Sequence, residues 1–113
     1  MSQITTHVLD TAIGKPAQGV PIALSALGKD GDWVKIAEGI TNSDGRISDL
    51  LKDGMTLNPG IYRMLFKTQT YFEQNKTVGF YPEVPVIFEV TDASHYHVPL
   101  LLNPYGYSTY RGS

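Results

Sequence analysis

The sequence predicts an all-β protein, an antiparallel sandwich or barrel of about seven or eight short strands with one short helix. Two observations lead to this prediction. Apolar residues alternate with polar ones at a period of two along several stretches, and clusters of Gly, Pro, Asn and Asp interrupt these stretches at short intervals. The length of 113 residues and the 42% hydrophobic content suit one core, so we expect a single domain over residues 1–113.

Three stretches show the alternation most clearly: VPIALSAL, IYRMLFKT and VPVIFEV. Each is predicted to be a strand of a two-sided sheet, with one face in the core. The core-facing residues are, in that order, Val20, Ile22, Leu24 and Ala26, then Tyr62, Met64 and Phe66, then Val84, Val86, Phe88 and Val90. Turn sequences separate the strands at IGKPAQG, GKDGD, NSDG, KDG with NPG, and NPYG.

One stretch departs from the period of two. TYFEQNK opens with Thr70 and has Glu73 three residues later, which is the spacing of a capping box at the start of a helix. Gly79 follows within a few residues. We therefore expect one short helix between two strands, beginning at Thr70 and ending before Gly79.

Composition excludes several classes of function. The absence of cysteine removes disulfides, thiolate metal ligands, iron–sulfur clusters and cysteine nucleophiles. A net charge of −2 with scattered Lys and Arg argues against nucleic acid and acidic membranes as partners. No apolar run reaches about 18 residues, and MSQITTHVLD lacks the features of a secretory signal, so we expect a cytoplasmic protein. There is no G-x-S-x-G elbow, P-loop or G-x-G-x-x-G motif.

The three histidines are the first candidates for chemistry. In a strand, His95 and His97 point to one face and Val98 to the other, and His7 similarly points away from Val8. Because imidazole exchanges protons near neutral pH, two converging histidines could activate a water molecule. Ordinary surface histidines explain the same pattern, and a zinc site made by all three histidines is a further alternative.

Arg46 and the C-terminal tail are the other candidates. Arg46 follows the NSDG turn and could offer its planar fork of donors to an oxyanion or a heterocycle, or simply pair with Asp44 or Asp49. The tail YRGS offers hydrogen-bonding groups and a glycine that permits a tight bend. Its residues are Tyr110, Arg111, Gly112 and Ser113. A folded tail would suit a polar ligand, whereas a frayed one would have no such role.

The chain resembles the 5-hydroxyisourate hydrolases of the transthyretin-like family. The resemblance rests on HVLDTAIGKPAQGV near the start, TNSDGR in the middle, FYPEVPV later, and HYHVPLLLNPYGYSTYRGS at the end. It covers essentially the whole chain, and the terminal Tyr-Arg-Gly-Ser is its most specific mark. Transthyretin shares the fold but lacks this tetrapeptide and the histidine and arginine equivalents.

The resemblance implies a transthyretin-like eight-stranded antiparallel β-sandwich with one short α-helix, assembled as a homotetramer (a dimer of dimers) with sites between subunits. It implies hydrolysis of a cyclic amide in urate catabolism, acting on a small-molecule substrate without a cofactor or metal. The implied catalytic residues are His7, Arg46 and His97, and the implied substrate-binding residues are Tyr110, Arg111, Gly112 and Ser113. The resemblance assigns no role to His95, and a transthyretin-like binding protein without catalysis stays the alternative.

Overall fold

The structure is a computed structural model that describes residues 2–113. Eight strands and one helix lie within this range. In chain order they are β1 Ile4–Asp10, β2 Lys15–Pro16, β3 Pro21–Leu27, β4 Trp33–Ile40, β5 Gly60–Phe66, α1 Thr68–Gln74, β6 Val84–Val90, β7 Tyr96–Asn103 and β8 Gly106–Thr109.

The strands form two four-stranded sheets. The first has the order β2-β1-β7-β8 and the second has the order β4-β3-β5-β6. The prediction of an eight-stranded sandwich with one short helix is confirmed. One pair differs from the purely antiparallel expectation, because β1 and β7 run parallel while all other neighbours in the described chain run antiparallel. An alternating pattern shows which face a strand buries, but not the direction of its neighbour.

The core lies between the two sheets and is built from the predicted faces. All of the core-facing residues named above are buried except Ala26 and Phe88, which are partly buried and pack against the core. Alternate residues of β1 and β7, such as Val8 and Leu100, form the other side of the core. Burial of apolar surface, worth about 25 cal/mol per Å², holds the two sheets together. The side chains that alternate with these core residues lie on the outer faces of the sheets.

The helix begins earlier than expected, so the predicted capping box is wrong. Helix α1 starts at Thr68 with Lys67 as its N-cap residue, no side chain caps it, and Thr70 lies inside it. Tertiary contacts set its start instead: the Thr68 hydroxyl donates to the Tyr81 carbonyl oxygen at 2.6 Å, and Tyr71 packs in the core. A seven-residue helix depends on such contacts because it is too short to be stable alone. Among residues 2–113, no helix has the length and apolar character needed to cross a bilayer.

A buried hydrogen bond ties α1 to β1. The Tyr71 hydroxyl donates to a carboxylate oxygen of Asp10 at 2.7 Å, and the other oxygen accepts the Ala12 N–H at 3.0 Å. Burial, and then the Asp10 carboxylate, raise the pKa of Tyr71 well above its usual value. Tyr71 therefore stays a hydrogen-bond donor at neutral pH and holds the end of β1 against the helix.

Candidate active site

Polar side chains collect in one open depression on the outer face of the first sheet. The depression has a volume of about 550 Å³ and is formed by β1, the turn after β4, the start of β7 and the C-terminal tail. Its lining residues are Thr5, His7, Arg46, His95, His97, Tyr110, Gly112 and Ser113. Every residue that the sequence singled out for a site is therefore present there, with the exception of Arg111.

The pleat of β1 and β7 turns two histidines away from the core. His7 is half-buried while Val8 beside it is fully buried, and His97 is half-buried while Val98 is buried. The prediction that these histidines face away from the core is confirmed. His95 is exposed and lies just before β7 rather than within it.

The register of the parallel pair brings the two histidines close. Thr5 lies opposite His97, and His7 lies opposite Pro99, two residues further along both strands. Since residues two apart on a strand share a face, His7 and His97 lie diagonally across adjacent strands on the same face. The sequence could predict the shared orientation of the two histidines but not this register.

A tight turn after β4 fixes the backbone of Arg46. The Asn42 side-chain oxygen accepts the backbone N–H groups of Asp44 at 2.8 Å and Arg46 at 3.2 Å. The Asn42 N–H donates to the Arg46 carbonyl oxygen at 2.8 Å, which closes the turn. No ion pair within 4.0 Å joins Arg46 to Asp44 or Asp49 in the described chain, so the guanidinium is not committed to either carboxylate.

Gly45 lets this turn approach β1. Its carbonyl oxygen accepts the Val8 N–H at 2.8 Å, and its φ of 73° lies in the region that favours glycine. A Cβ at this position would run into the Val8 carbonyl oxygen. The close approach allows an isolated antiparallel bridge between His7 and Arg46, which holds the arginine backbone beside the histidine.

The C-terminal tail is folded against β7. The Gly112 N–H donates to the His97 carbonyl oxygen at 2.9 Å, and the two residues form an isolated antiparallel bridge. A Cβ on Gly112 would collide with the His97 ring, so the tail fits here only because this residue is glycine. The bridge places Tyr110 and Ser113 at the depression.

Arg111 lies outside the depression. Its guanidinium carbon lies 4.5 Å from the centre of the Tyr96 ring, within cation–π distance. It also lines a neighbouring cleft of about 300 Å³ between β6 and β7. Alternation along the tail places Arg111 on the side opposite to its neighbours Tyr110 and Gly112, which line the depression.

The electrostatics of the depression favour neutral imidazoles. Burial, and then the Arg46 cation, lower the pKa of His7 below its usual value, while a hydrogen bond to the Asp44 backbone opposes the shift. The pKa of His97 is also lowered by burial, followed by Arg46, His95 and His7, with a hydrogen bond to the Thr5 backbone acting the other way. Neutral imidazoles at pH 7 can accept a proton, as a general base must.

Thr5 is a polar group of the depression that sequence reasoning passed over. Its hydroxyl oxygen lies 2.8 Å from His97 Nδ1 and 2.8 Å from His95 Nε2. The two imidazole rings are nearly parallel, with centres 6.4 Å apart. The available signal was that Thr5 shares a face with His7, but its contact with two histidines depends on the parallel register.

The zinc alternative required all three histidines to converge on one ion. Within residues 2–113, no group of three or more His, Cys, Asp or Glu side chains is arranged to hold a metal ion. His95 and His97 contact Thr5 and each other, and His7 has a hydrogen bond to the Asp44 backbone.

The two four-stranded sheets and the polar outer face together define a transthyretin-like sandwich whose surface groups are suited to acid–base chemistry. The model of the HIUase/Transthyretin family matches residues 4–112. The chain belongs to this family.

Relatives and solved structures agree with this assignment. The chain is 49% identical over 111 residues to a 5-hydroxyisourate hydrolase of Salmonella dublin, covering 97% of this chain and 80% of the relative. The solved Klebsiella pneumoniae 5-hydroxyisourate hydrolase is 33% identical with a TM-score of 0.84, covering 97% of this chain and 92% of that chain. Sea bream transthyretin, solved in complex with thyroxine, is 30% identical with a TM-score of 0.91, covering 98% and 95%.

Proposed function

We propose that the protein is a 5-hydroxyisourate hydrolase of urate catabolism. It would open the six-membered ring of 5-hydroxyisourate at its cyclic amide linkage and yield 2-oxo-4-hydroxy-4-carboxy-5-ureidoimidazoline. The observation that carries the proposal is the convergence of two histidines with lowered pKa values, one arginine and the tail hydroxyls in a single depression. The identity of 49% to a hydrolase of this name supports the choice of substrate.

The proposed reaction adds water across the amide bond. One neutral imidazole, of His7 or His97, takes a proton from water as the water oxygen bonds to the ring carbonyl carbon. The Arg46 guanidinium binds the substrate and offsets the negative charge that develops on the carbonyl oxygen. The carbon–nitrogen bond then breaks as the histidine returns the proton to the leaving nitrogen.

The tail would hold the heterocycle in place. The Tyr110 and Ser113 hydroxyls can donate to and accept from a planar polar ring at the edge of the depression. Gly112 contributes through its backbone, which fixes the tail to β7. Arg111 contributes to binding indirectly in this proposal, because its contact with Tyr96 anchors the tail from the opposite side.

We further propose that the protein is a homotetramer, a dimer of dimers with sites at subunit interfaces. A single chain leaves the depression open to solvent, with Tyr110 exposed. Leu9 and Leu101 lie opposite each other on β1 and β7 and are only half-buried. Apolar side chains on the same outer face as the polar site suit a contact between subunits.

We also propose a cytoplasmic location, which cell fractionation would test.

The test is an ultraviolet time course of freshly generated 5-hydroxyisourate with purified protein and a strong chelator present. We expect decay faster than the spontaneous rate and unaffected by the chelator. His7→Ala and His97→Ala should each lower turnover by about 100-fold to 10,000-fold without unfolding the protein. Tyr110→Phe should also lower turnover. Tyr105→Phe should not, because Tyr105 is an exposed tyrosine outside the depression.

The alternative is a transthyretin-like binding protein without catalysis. The TM-score of 0.91 to sea bream transthyretin, which was solved with thyroxine, favours it as far as the fold is concerned. Spontaneous-rate decay with and without chelator, from a folded protein, would support this alternative over the hydrolase. If both histidine variants keep full activity, the catalytic roles assigned to His7 and His97 are wrong, but the proposed hydrolase function still stands.

A further inference from the structure

Thr5 connects the half-buried His97 to the exposed His95 through one hydroxyl group. Its Oγ1 atom lies 2.8 Å from the Nδ1 atom of His97 and 2.8 Å from the Nε2 atom of His95. The β1–β7 register enforces the first contact, because Thr5 and His97 are direct partners. The three side chains therefore form a continuous path from inside the depression to solvent.

The number of available hydrogens limits which groups can donate in the hydrogen bonds of this path. A threonine hydroxyl has one hydrogen to donate and lone pairs to accept with, whereas a neutral imidazole has one N–H and one bare nitrogen. Thr5 can thus donate to only one of the two histidines. Any bond to the other histidine must be donated by that ring.

The surroundings of His97 favour one of the two arrangements, in which Thr5 donates to His95 and accepts from His97. With Nδ1 of His97 bonded to Thr5, Nε2 is the ring nitrogen left for the depression. A cation, Arg46, faces that space and lowers the pKa of His97. A bare nitrogen facing a space that a cation also lines is electrostatically better than an N–H, so we assign the proton of neutral His97 to Nδ1.

We propose that Thr5 and His95 are positioning residues that fix the tautomer of His97. In this relay, His97 Nδ1–H donates to Thr5, and the Thr5 hydroxyl donates to His95 Nε2. The hydrogen bond at one imidazole nitrogen sets the protonation of the other, so His97 presents a bare Nε2 atom that can accept a proton from water.

The role in catalysis rests on the proposed hydrolase function, but the tautomer does not. The other charged or titratable groups around His97 are His7, Arg46, His95 and Tyr110 in the depression, and Glu89, Tyr96 and Arg111 in the neighbouring cleft. Thr5 can be altered without changing any of these charges. The effect of a Thr5 variant therefore reports on the hydrogen bonds of the relay and not on a general change in the electrostatics of the site.

The test uses ¹⁵N chemical shifts of the histidine ring nitrogens at a pH where the rings are neutral. In the unmodified protein we expect His97 to carry its proton on Nδ1. Thr5→Val, which keeps the β-branched shape but loses the hydroxyl, should weaken this preference, since Arg46 and the Thr5 backbone remain, and Thr5→Ser should keep it. His95→Gln, which retains an acceptor, should preserve the preference better than His95→Leu.

Kinetics supply the second readout. Thr5→Val should lower kcat by about 10-fold with little change in KM, because the base rather than the binding contacts is disturbed. Thr5→Ser should recover most of that loss. A His97 proton on Nε2 in the unmodified protein, or a Thr5→Val protein with unchanged tautomer and kcat, would overturn the relay. If the unmodified protein shows no hydrolysis at all, the proposed function fails, while the ¹⁵N shifts still decide for or against the relay.

Discussion

Gly112 shows how one residue without a side chain can shape a site. It bridges to His97 through the backbone, and there is no space for a Cβ between it and the His97 ring. A single methyl group at this position would force either the tail or the imidazole to move. Because Tyr110 and Ser113 reach the depression through this segment, such a movement would separate the tail from the histidines.

We therefore expect Gly112→Ala to lower kcat/KM by about 100-fold, the size of effect that a displacement of about 1 Å can produce. The matched control is Gly106→Ala in β8, where a Cβ would meet the Asn103 side chain at an ordinary distance of 3.7 Å. Thermal unfolding of both variants should stay close to that of the unmodified protein, because neither residue belongs to the core. Equal activity of the two variants would show that the tail does not need this close contact.

Arg46 should control the protonation of both candidate bases. Its positive charge lowers the pKa values of His7 and His97. Replacing it in Arg46→Gln removes a nearby cation, which makes the protonated imidazoles less unfavourable, so both pKa values should rise. NMR titration of the histidine ring protons measures this without any need for activity. Unchanged or lower pKa values in the variant would contradict the assigned electrostatics.

At the residue scale, the sequence predicted orientation better than contact. The period of two in HVLD correctly placed His7 away from the core. The same reasoning could not show that Thr5 touches His97, because the two residues are 92 positions apart and meet through a parallel pairing. Arg111 is a related case: a tail motif gives four candidate residues, and only the bridge at Gly112 shows that Arg111 points elsewhere.

Among the elements, the turn that contains Gly45 positions Arg46 relative to β1. Gly45 and Gly54 both have positive φ values, of 73° and 82°. Alanine is strained at either position by about 1–2 kcal/mol. Only at Gly45 would the new Cβ also meet another group, the Val8 carbonyl oxygen, since nothing lies within 4 Å at Gly54.

This pair makes a controlled experiment. Gly54→Ala should lower the free energy of unfolding through strain alone and leave kcat/KM near normal. Gly45→Ala should lower the free energy of unfolding by at least about 1 kcal/mol more and reduce kcat/KM by about 10-fold or more, because Arg46 moves away from His7. Urea unfolding and steady-state kinetics give the two quantities. Indistinguishable variants would mean that the turn adapts without moving the arginine.

The helix illustrates why some elements could not be placed from sequence. TYFEQNK has the spacing of a capping box, yet α1 begins at Thr68, where no side chain caps it. The actual start depends on the Thr68 bond to Tyr81 and on the Tyr71 bond to Asp10, whose partners lie 13 and 61 positions away along the chain. The three strands predicted from alternation, β3, β5 and β6, were easier to place because each carries its own pattern, independent of its partner.

At the scale of the whole molecule, fold and chemistry are separable. The TM-score is 0.91 to a transthyretin solved with thyroxine and 0.84 to a 5-hydroxyisourate hydrolase. The shared sandwich therefore cannot decide between binding and catalysis. In our proposal the side chains on the outer face of the first sheet carry that distinction, as expected when different functions use one scaffold.

The same outer face provides the last prediction, which concerns assembly. Leu101 is half-buried, lies opposite Leu9 and is on the sheet face that carries His7. If this face is covered by another subunit, Leu101→Asp places a carboxylate in an apolar contact, and desolvation of that charge opposes association. Val34→Asp, on an exposed side chain of β4 in the other sheet, is the matched control.

We expect the unmodified protein and Val34→Asp to sediment as tetramers, and Leu101→Asp to sediment as a smaller species. The variant's kcat/KM should fall at low protein concentration and recover partly at high concentration, because association closes the depression over the substrate and mass action governs association. A monomeric unmodified protein with full activity would contradict the interfacial site. A tetrameric Leu101→Asp protein would instead place the contact elsewhere, so sedimentation and kinetics together test both parts of the assembly proposal.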